Sequence, residues 1–313
     1  MKLRVLSVVA ALAVMVGLPA AAVKLMPHRP PTATELARRV ATTQVQRYPR
    51  KIVGVVSNDL AAFDLRCKCR PNVAVHYISM GGPVSMTLAK LVLEARAVPV
   101  LELEPFGIPL TRIIAGHEDA WLTRYAKAVL GLKAPVIMSF APEANGSWYE
   151  WGFLHTPAKV YVQAWRHVVT VFRKAGADRI KWAWIMNRGF LQGERLELLW
   201  PGRSYVNMLG IDGYFKDPKD NFRRLFVPTI RDMRKLSSDP ILISETAAGP
   251  TADKLRAVRQ LVADMTAYHL AGFTWFDIHQ HGNSTHQDWR IETSPRALAA
   301  YRCAVQQYAS PVK

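Results

Sequence analysis

The sequence predicts an α/β protein, a (β/α)8 barrel forming a single catalytic domain. Three observations carry that expectation. Eight short apolar runs recur along the chain, each ending in turn or polar residues. Segments with apolar residues at three- and four-residue spacing alternate with them, as amphipathic helices packed outside a sheet require. No Gly-rich phosphate loop follows the first apolar run, which counts against the runner-up, a doubly wound open sheet.

The apolar runs predict strands at Ile52 to Ser57, Val73 to Ser79, Val98 to Leu103, Pro135 to Phe140, Ile180 to Met186, Val206 to Ile211, Pro240 to Ser244 and Gly272 to Phe276. Each is a few residues long and almost entirely apolar, the pattern of strands buried on both faces. Helices are predicted at Ser85 to Ala97, Asp119 to Leu132, Pro157 to Lys174, Phe222 to Leu236, Ala252 to Leu270 and Pro295 to Tyr308. His155-Thr156-Pro157 reads as a cap followed by proline in the first helical turn.

Residues 1–22 are read as a signal peptide or signal anchor. Lys2 and Arg4 make a positive start, Val5 to Leu18 is nearly all apolar, and Pro19-Ala20-Ala21-Ala22 offers small residues for cleavage. Extended to Val23, the apolar run is also just long enough to span a bilayer uncleaved. Either way the expected location is extracellular or in the cell envelope. Residues 23–47 are a linker and 48–309 the barrel. The chain of 313 residues carries 41 basic against 24 acidic residues, a formal net charge of +17. No nucleic-acid motif accompanies that charge and the basic residues are spread along the chain. The excess therefore points to solubility and association with an anionic cell envelope, and excludes specific nucleic-acid binding from the expectations. The expected state is a monomer.

Three cysteines suit an exported chain with one disulfide. Cys67 and Cys69 stand too close in sequence to pair comfortably. In a closed barrel the segment after the first strand lies beside the last helix, so Cys303 is expected to bridge to one of them.

Active sites of this fold sit at the carboxyl ends of the strands. Those positions hold Glu104, Glu143, Asn187, Asp212 to Tyr214, Glu245 and Asp277. Two are glutamates, after the fourth and seventh strands. A pair of carboxyl groups is what glycoside hydrolysis needs, one to protonate the leaving oxygen and the other to attack the anomeric carbon or activate water. The stretch after the fourth strand also sets Asn145-Gly146, a turn that tolerates positive φ, and Trp148, Tyr149 and Trp151 beside Glu143. His279, His281 and His286 with Asp288 follow the eighth strand. Histidines two apart in a loop are a weak ligand pattern, so no metal and no cofactor is expected.

The same residues resemble glycoside hydrolase family 26. The resemblance runs from Ile52 to about Arg302 and rests on Leu101-Glu102-Leu103-Glu104-Pro105, Gly116-His117-Glu118-Asp119, Pro142-Glu143-Ala144-Asn145-Gly146 with Trp148-Tyr149-Glu150-Trp151-Gly152, Ala164-Trp165-Arg166, Trp184-Ile185-Met186-Asn187, Asp212-Gly213-Tyr214, Ile243-Ser244-Glu245-Thr246 and Asp288-Trp289-Arg290, in the family's order. It implies a secreted retaining β-glycanase, most often an endo-β-1,4-mannanase, with Glu143 as acid/base and Glu245 as nucleophile. It further implies that Tyr214 hydrogen-bonds the nucleophile. Trp148, Trp151, Trp184 and Trp275 would offer sugar-stacking faces, about half of them in use. Glu104, Asn145, Asn187 and His279 complete the expected substrate contacts.

Two positions depart from the family's mannanases, which carry histidine directly before the acid/base and arginine near the end of the same strand. This chain has Pro142 and Ser139 there. Lichenan, β-1,3-xylan or a bacterial exopolysaccharide therefore stand beside mannan as expected substrates. A non-hydrolytic glycan-binding protein is the alternative from another class, and an envelope-tethered protein acting through its basic surface is a third.

Overall fold

The computed structural model describes residues 47–189, 195–280 and 287–309. The expected signal segment, all of the expected linker but its last residue, His281 and His286 lie outside the described residues. Eight parallel strands close on themselves in sequence order: β1 Ile52–Val56, β2 Val73–Ser79, β3 Val98–Glu104, β4 Ile137–Phe140, β5 Lys181–Asn187, β6 Met208–Asp212, β7 Ile241–Thr246 and β8 Gly272–Phe276. Each expected apolar run overlaps one of them, with ends shifted by at most two residues, and the open-sheet alternative falls because β8 pairs with β1 from Ile52↔Gly272 to Val56↔Phe276. Gly272 makes that seam possible. It adopts φ +149°, and a β carbon there would fall 1.8 Å from the Ile52 carbonyl oxygen.

Helices cover the outside: α1 Leu60–Cys67, α2 Thr87–Glu94, α3 Leu110–Ile114, α4 Asp119–Leu130, α5 Ala158–Lys174, α6 Phe222–Leu236, α7 Lys254–Ala267 and α8 Pro295–Tyr308. Their apolar stripes supply one half of the core and the outer faces of the strands the other. In α5, Tyr161, Ala164, Trp165, Val168 and Phe172 are buried at helical spacing, and Trp165 and Phe172 meet Trp182 of β5 edge-on. Asn221, Asp253 and Ser294 cap α6, α7 and α8 by accepting from backbone N–H groups in the first turn. Pro157 is itself the cap position of α5, one residue before the place the sequence suggests, and its side chain makes no capping hydrogen bond. Past β8, β9 His279–Gln280 pairs antiparallel with β10 Gln287–Asp288.

The disulfide differs from expectation. Cys67 bonds to Cys69, with Cα atoms 5.1 Å apart, and Cys303 is a free, exposed thiol. The cause is local backbone geometry. Lys68, which ends α1, takes a left-handed conformation at φ 51°, ψ 39°, and folds the two cysteines toward each other. The reasoning about neighbourhood holds, since Arg302 Nε of α8 donates to the Cys67 carbonyl at 2.7 Å. The last helix does reach the first, but through an arginine rather than a thiol.

Candidate active site

The barrel delivers its carboxylates by register. In β3 the alternation Leu101-Glu102-Leu103-Glu104 puts both glutamates on one face, and both are buried. Glu102 pairs in register with Tyr77 of β2 on one side and Ser139 of β4 on the other, which makes a polar layer across three strands. Asp212 at the end of β6 pairs with Glu245 of β7. Glu143 reaches the same mouth from just beyond β4.

Glu143 is placed by strained backbone. Ala141 and Glu143 both adopt positive φ, 45° and 54°, a conformation costing about 1–2 kcal/mol for a residue other than glycine. The turn is held by the Glu143 N–H, which donates to the Ile185 carbonyl of β5 at 2.9 Å, and by Gly146 N–H, which returns to the Glu143 carbonyl at 2.8 Å. The side chain is fixed from two directions. Trp148 Nε1 donates to Oε2 at 2.8 Å, and the Asn187 amide donates to Oε1. Gly146 is required for the first contact, because a β carbon there would lie 2.4 Å from the Trp148 ring.

Glu245 is held by hydroxyls. Tyr77 donates to Oε1, and Tyr214 hydrogen-bonds the same carboxyl group. The Tyr214 ring packs against Phe276 and Trp289 at 5.6 and 4.8 Å. The tyrosine just past β6 is the one the sequence singles out; Tyr77 is not. Asp212 accepts from Ser244 Oγ at 2.6 Å, one residue before Glu245.

Five acids in one buried mouth cannot all ionise near neutral pH. Burial, then the charges of Glu245 and Glu143, push Glu104 up to about 8. Burial, then Glu245, holds Glu102 and Asp212 well above the ordinary carboxylate range. Glu245 is raised to about 7 by burial and by Glu143, against the lowering pull of its two tyrosines. Glu143 is raised by burial, and the Asn187 and Trp148 donors and the Lys216 ammonium pull it down. Both members of the pair thus sit above the ordinary carboxylate range, each under its own balance of burial and donors. Their places distinguish them: one stands in a turn under an indole and an amide, the other on a strand under two phenols.

Several expected contacts are corrected. Trp151, Trp184 and Trp275 are at most 1% exposed, which closes their faces to a sugar. Trp151 stacks on Tyr149 at 4.4 Å and donates to the Pro142 carbonyl; Trp184 packs against Trp200; Trp275 donates to the Trp289 carbonyl. Only Trp148 of the four is part-exposed at the mouth. Asn145 is not available to hydroxyls either. Its oxygen accepts from Asn187 N–H and its amide donates to the Asn187 carbonyl, both at 2.8 Å, so it staples the Glu143 turn to β5. Asn187 spends its amide on Glu143. His279 lies half-buried in β9 opposite Asp288, whose carboxylate is held down to about 2 by Arg290. Asp277 accepts from Ile291 N–H and pairs with Arg66, which makes it a strut under the rim. Among the described residues no group of three or more His, Cys, Asp or Glu side chains forms a metal site.

With that geometry in place, the similarities to known proteins fall in one direction. Residues 119–239 match the model of glycosyl hydrolase family 26. Over 225 residues, 67% of this chain, the sequence is 29% identical to Endoglucanase H of Acetivibrio thermocellus, and over 116 residues, 36% of this chain, it is 29% identical to a mannan endo-1,4-beta-mannosidase of Bifidobacterium adolescentis. The chain spans only 24% and 12% of the lengths of those two relatives. The fold is that of the Bacillus subtilis mannanase BCman, with a TM-score of 0.62 at 14% identity, covering 85% of this chain and 88% of the other.

Proposed function

Because the chain is a relative of glycoside hydrolase family 26, we propose that it is a retaining endo-β-glycanase that hydrolyses a β-linked polysaccharide, β-1,4-mannan first, by double displacement. The observation that carries this reading is the placement of Glu143 and Glu245, two carboxyl groups brought to one mouth from just past β4 and from β7 and each provided with its own donors.

In the first step Glu143 gives its proton to the glycosidic oxygen while Glu245 attacks the anomeric carbon; the C–O bond to the leaving sugar breaks and a glycosyl ester forms on Glu245. In the second, Glu143, now ionised, takes a proton from water, whose oxygen attacks the anomeric carbon and frees Glu245. Such enzymes hold the two groups about 5–5.5 Å apart. Tyr77 and Tyr214 spread the charge of the Glu245 carboxylate and orient it. Asn187 and Trp148 hold Glu143 in place, and the open face of Trp148 is the sugar platform. Glu104, which keeps its proton near neutral pH, acts as a hydroxyl donor to a sugar oxygen. The protein works as a monomer, without a cofactor, outside the cytoplasm or in the cell envelope; residues 1–22 motivate that placement.

A β-glucan is the second substrate reading. The longer of the two sequence matches is to a protein named as an endoglucanase, and Pro142 and Ser139 stand where the family's mannanases carry histidine and arginine. Reducing-sugar release from galactomannan, glucomannan, lichenan and β-1,3-xylan, with Glu245→Gln as the blank, tests both. Release that vanishes in the blank is the expected result. Tight binding of a polymer without release under any condition would replace hydrolysis by glycan binding.

A further inference from the structure

We propose that the cleft takes an acidic polysaccharide, with Arg188 and Lys216 on the rim beside Glu143 gripping the carboxylate of a uronic-acid unit next to the scissile bond. This rests on the glycanase reading above and specifies its substrate.

Arg188 directly follows Asn187, whose amide holds Glu143. Its N–H donates to the Asp212 carbonyl at 2.7 Å, which pins the end of β5 to β6. Its stem lies across Gly213, where a β carbon would meet Arg188 Cδ at 2.7 Å and Cγ at 2.8 Å, so that glycine is what allows the arginine to cross. Lys216 comes from the loop after β6, fixed by its N–H donating to Asp220 Oδ2 at 2.8 Å. Its ammonium stands 5.9 Å from the centre of the Tyr214 ring, the tyrosine that contacts Glu245. It also acts on both Glu143 and Arg188. One cation therefore lies near Glu143 and the Tyr214 ring, with a second beside it.

Neither head group makes a hydrogen bond or ion pair among the described residues. Asp220 opposes them electrostatically, but its Oδ2 already accepts the N–H groups of Lys216 and Asp217, and Arg224 adds a further positive charge. Arg188 is half-buried and Lys216 exposed, and cations of like sign placed side by side favour an anion that joins them. An arginine fork with an adjacent ammonium suits a carboxylate. The position selects the sugar. Glu143 must touch the leaving oxygen, so a group held by a cation acting on Glu143 belongs to a unit adjoining the cleaved bond.

The test compares kcat/KM of the full chain on glucomannan and on the same polymer oxidised at C6 to uronic acid, at low salt and at about 0.5 M salt, where surface charges are screened within a few ångströms. The native protein is expected to prefer the oxidised polymer by about tenfold at low salt, the effect of one good charged contact. The preference should shrink at high salt and fall to about unity in Arg188→Met/Lys216→Met. Equal or better cleavage of the neutral polymer, or a preference indifferent to the double substitution, would overturn the proposal. Should the native protein cut neither polymer, the mannan reading fails by itself. Calorimetric binding of oxidised oligosaccharide to Glu245→Gln then decides recognition: salt-sensitive binding lost with Arg188→Met/Lys216→Met supports it, and no binding refutes it.

Discussion

Replacing Tyr77 by phenylalanine isolates one oxygen atom of the proposed machinery. The ring stays in the wall of β2, while the hydroxyl that donates to Glu245 Oε1 is lost. Glu245 is raised to about 7 by burial and Glu143, and the two tyrosines are what keep it from going higher. A hydrogen bond to a charged group is worth about 1.5–3 kcal/mol, and one pKa unit corresponds to about 1.4 kcal/mol, so Tyr77→Phe should raise the carboxyl by about 1–2 units. The sign follows from the role: a nucleophile must be ionised, so activity on the acid side rises with pH through this pKa. The acid limb of kcat/KM against pH should move up by about 1–2 units, with activity at pH 6 falling roughly 10- to 100-fold and the loss relative to the native protein shrinking as pH rises. The assay is reducing-sugar release across pH, with melting temperature as a check on folding. An acid limb that stays put, or an equal loss at every pH, would refute the reasoning.

Other consequences follow from the same geometry. Glu143→Gln should cost about 10²–10⁴-fold on polymer but far less on an aryl glycoside whose leaving group needs no proton, measured as initial rates on both. Glu104 has a folded-state pKa of about 8, above its ordinary 4.5, so the folded protein holds a proton that the unfolded chain releases and stability falls as pH rises between those values. Glu104→Gln should therefore raise the melting temperature at pH 8 by several degrees and leave it nearly unchanged at pH 4; a gain confined to low pH would contradict the shift. Thiol titration of the unreduced denatured protein should find one reactive thiol, none in Cys303→Ser and three after reduction.

The sequence makes the strands legible because a parallel barrel buries both faces of each, which turns them into unbroken apolar runs. All eight were readable, with ends shifted by up to two residues. The helices missed are short: α1 offers Leu60, Phe63 and Cys67 as its buried positions, and α3 has five residues, too few to establish a period. The strand-end rule finds Glu143 and Glu245 because a charged residue closing an apolar run is conspicuous. Tyr77 escapes that rule. It stands within its run, and a tyrosine there reads as wall until register with Glu102 places it inside the barrel. Glu102 did carry a signal, the two-residue alternation with Glu104. The tryptophans fail for the opposite reason, since sequence says that an indole is near but not which way its face points, and three of the four are enclosed. The cysteine expectation assumed an ordinary backbone between positions 67 and 69, which the left-handed Lys68 does not provide.

The central claim is that Glu245 becomes covalently attached to sugar. Incubation with an activated 2-deoxy-2-fluoro-β-glycoside of the sugar cleaved, followed by peptide mass spectrometry, measures it directly, because the fluorine slows the second step more than the first. The account predicts one added sugar on the peptide containing Glu245 and none in Glu245→Gln. Label on another residue, or an unlabelled protein that nevertheless turns over the polymer with inversion at the anomeric carbon, would contradict it.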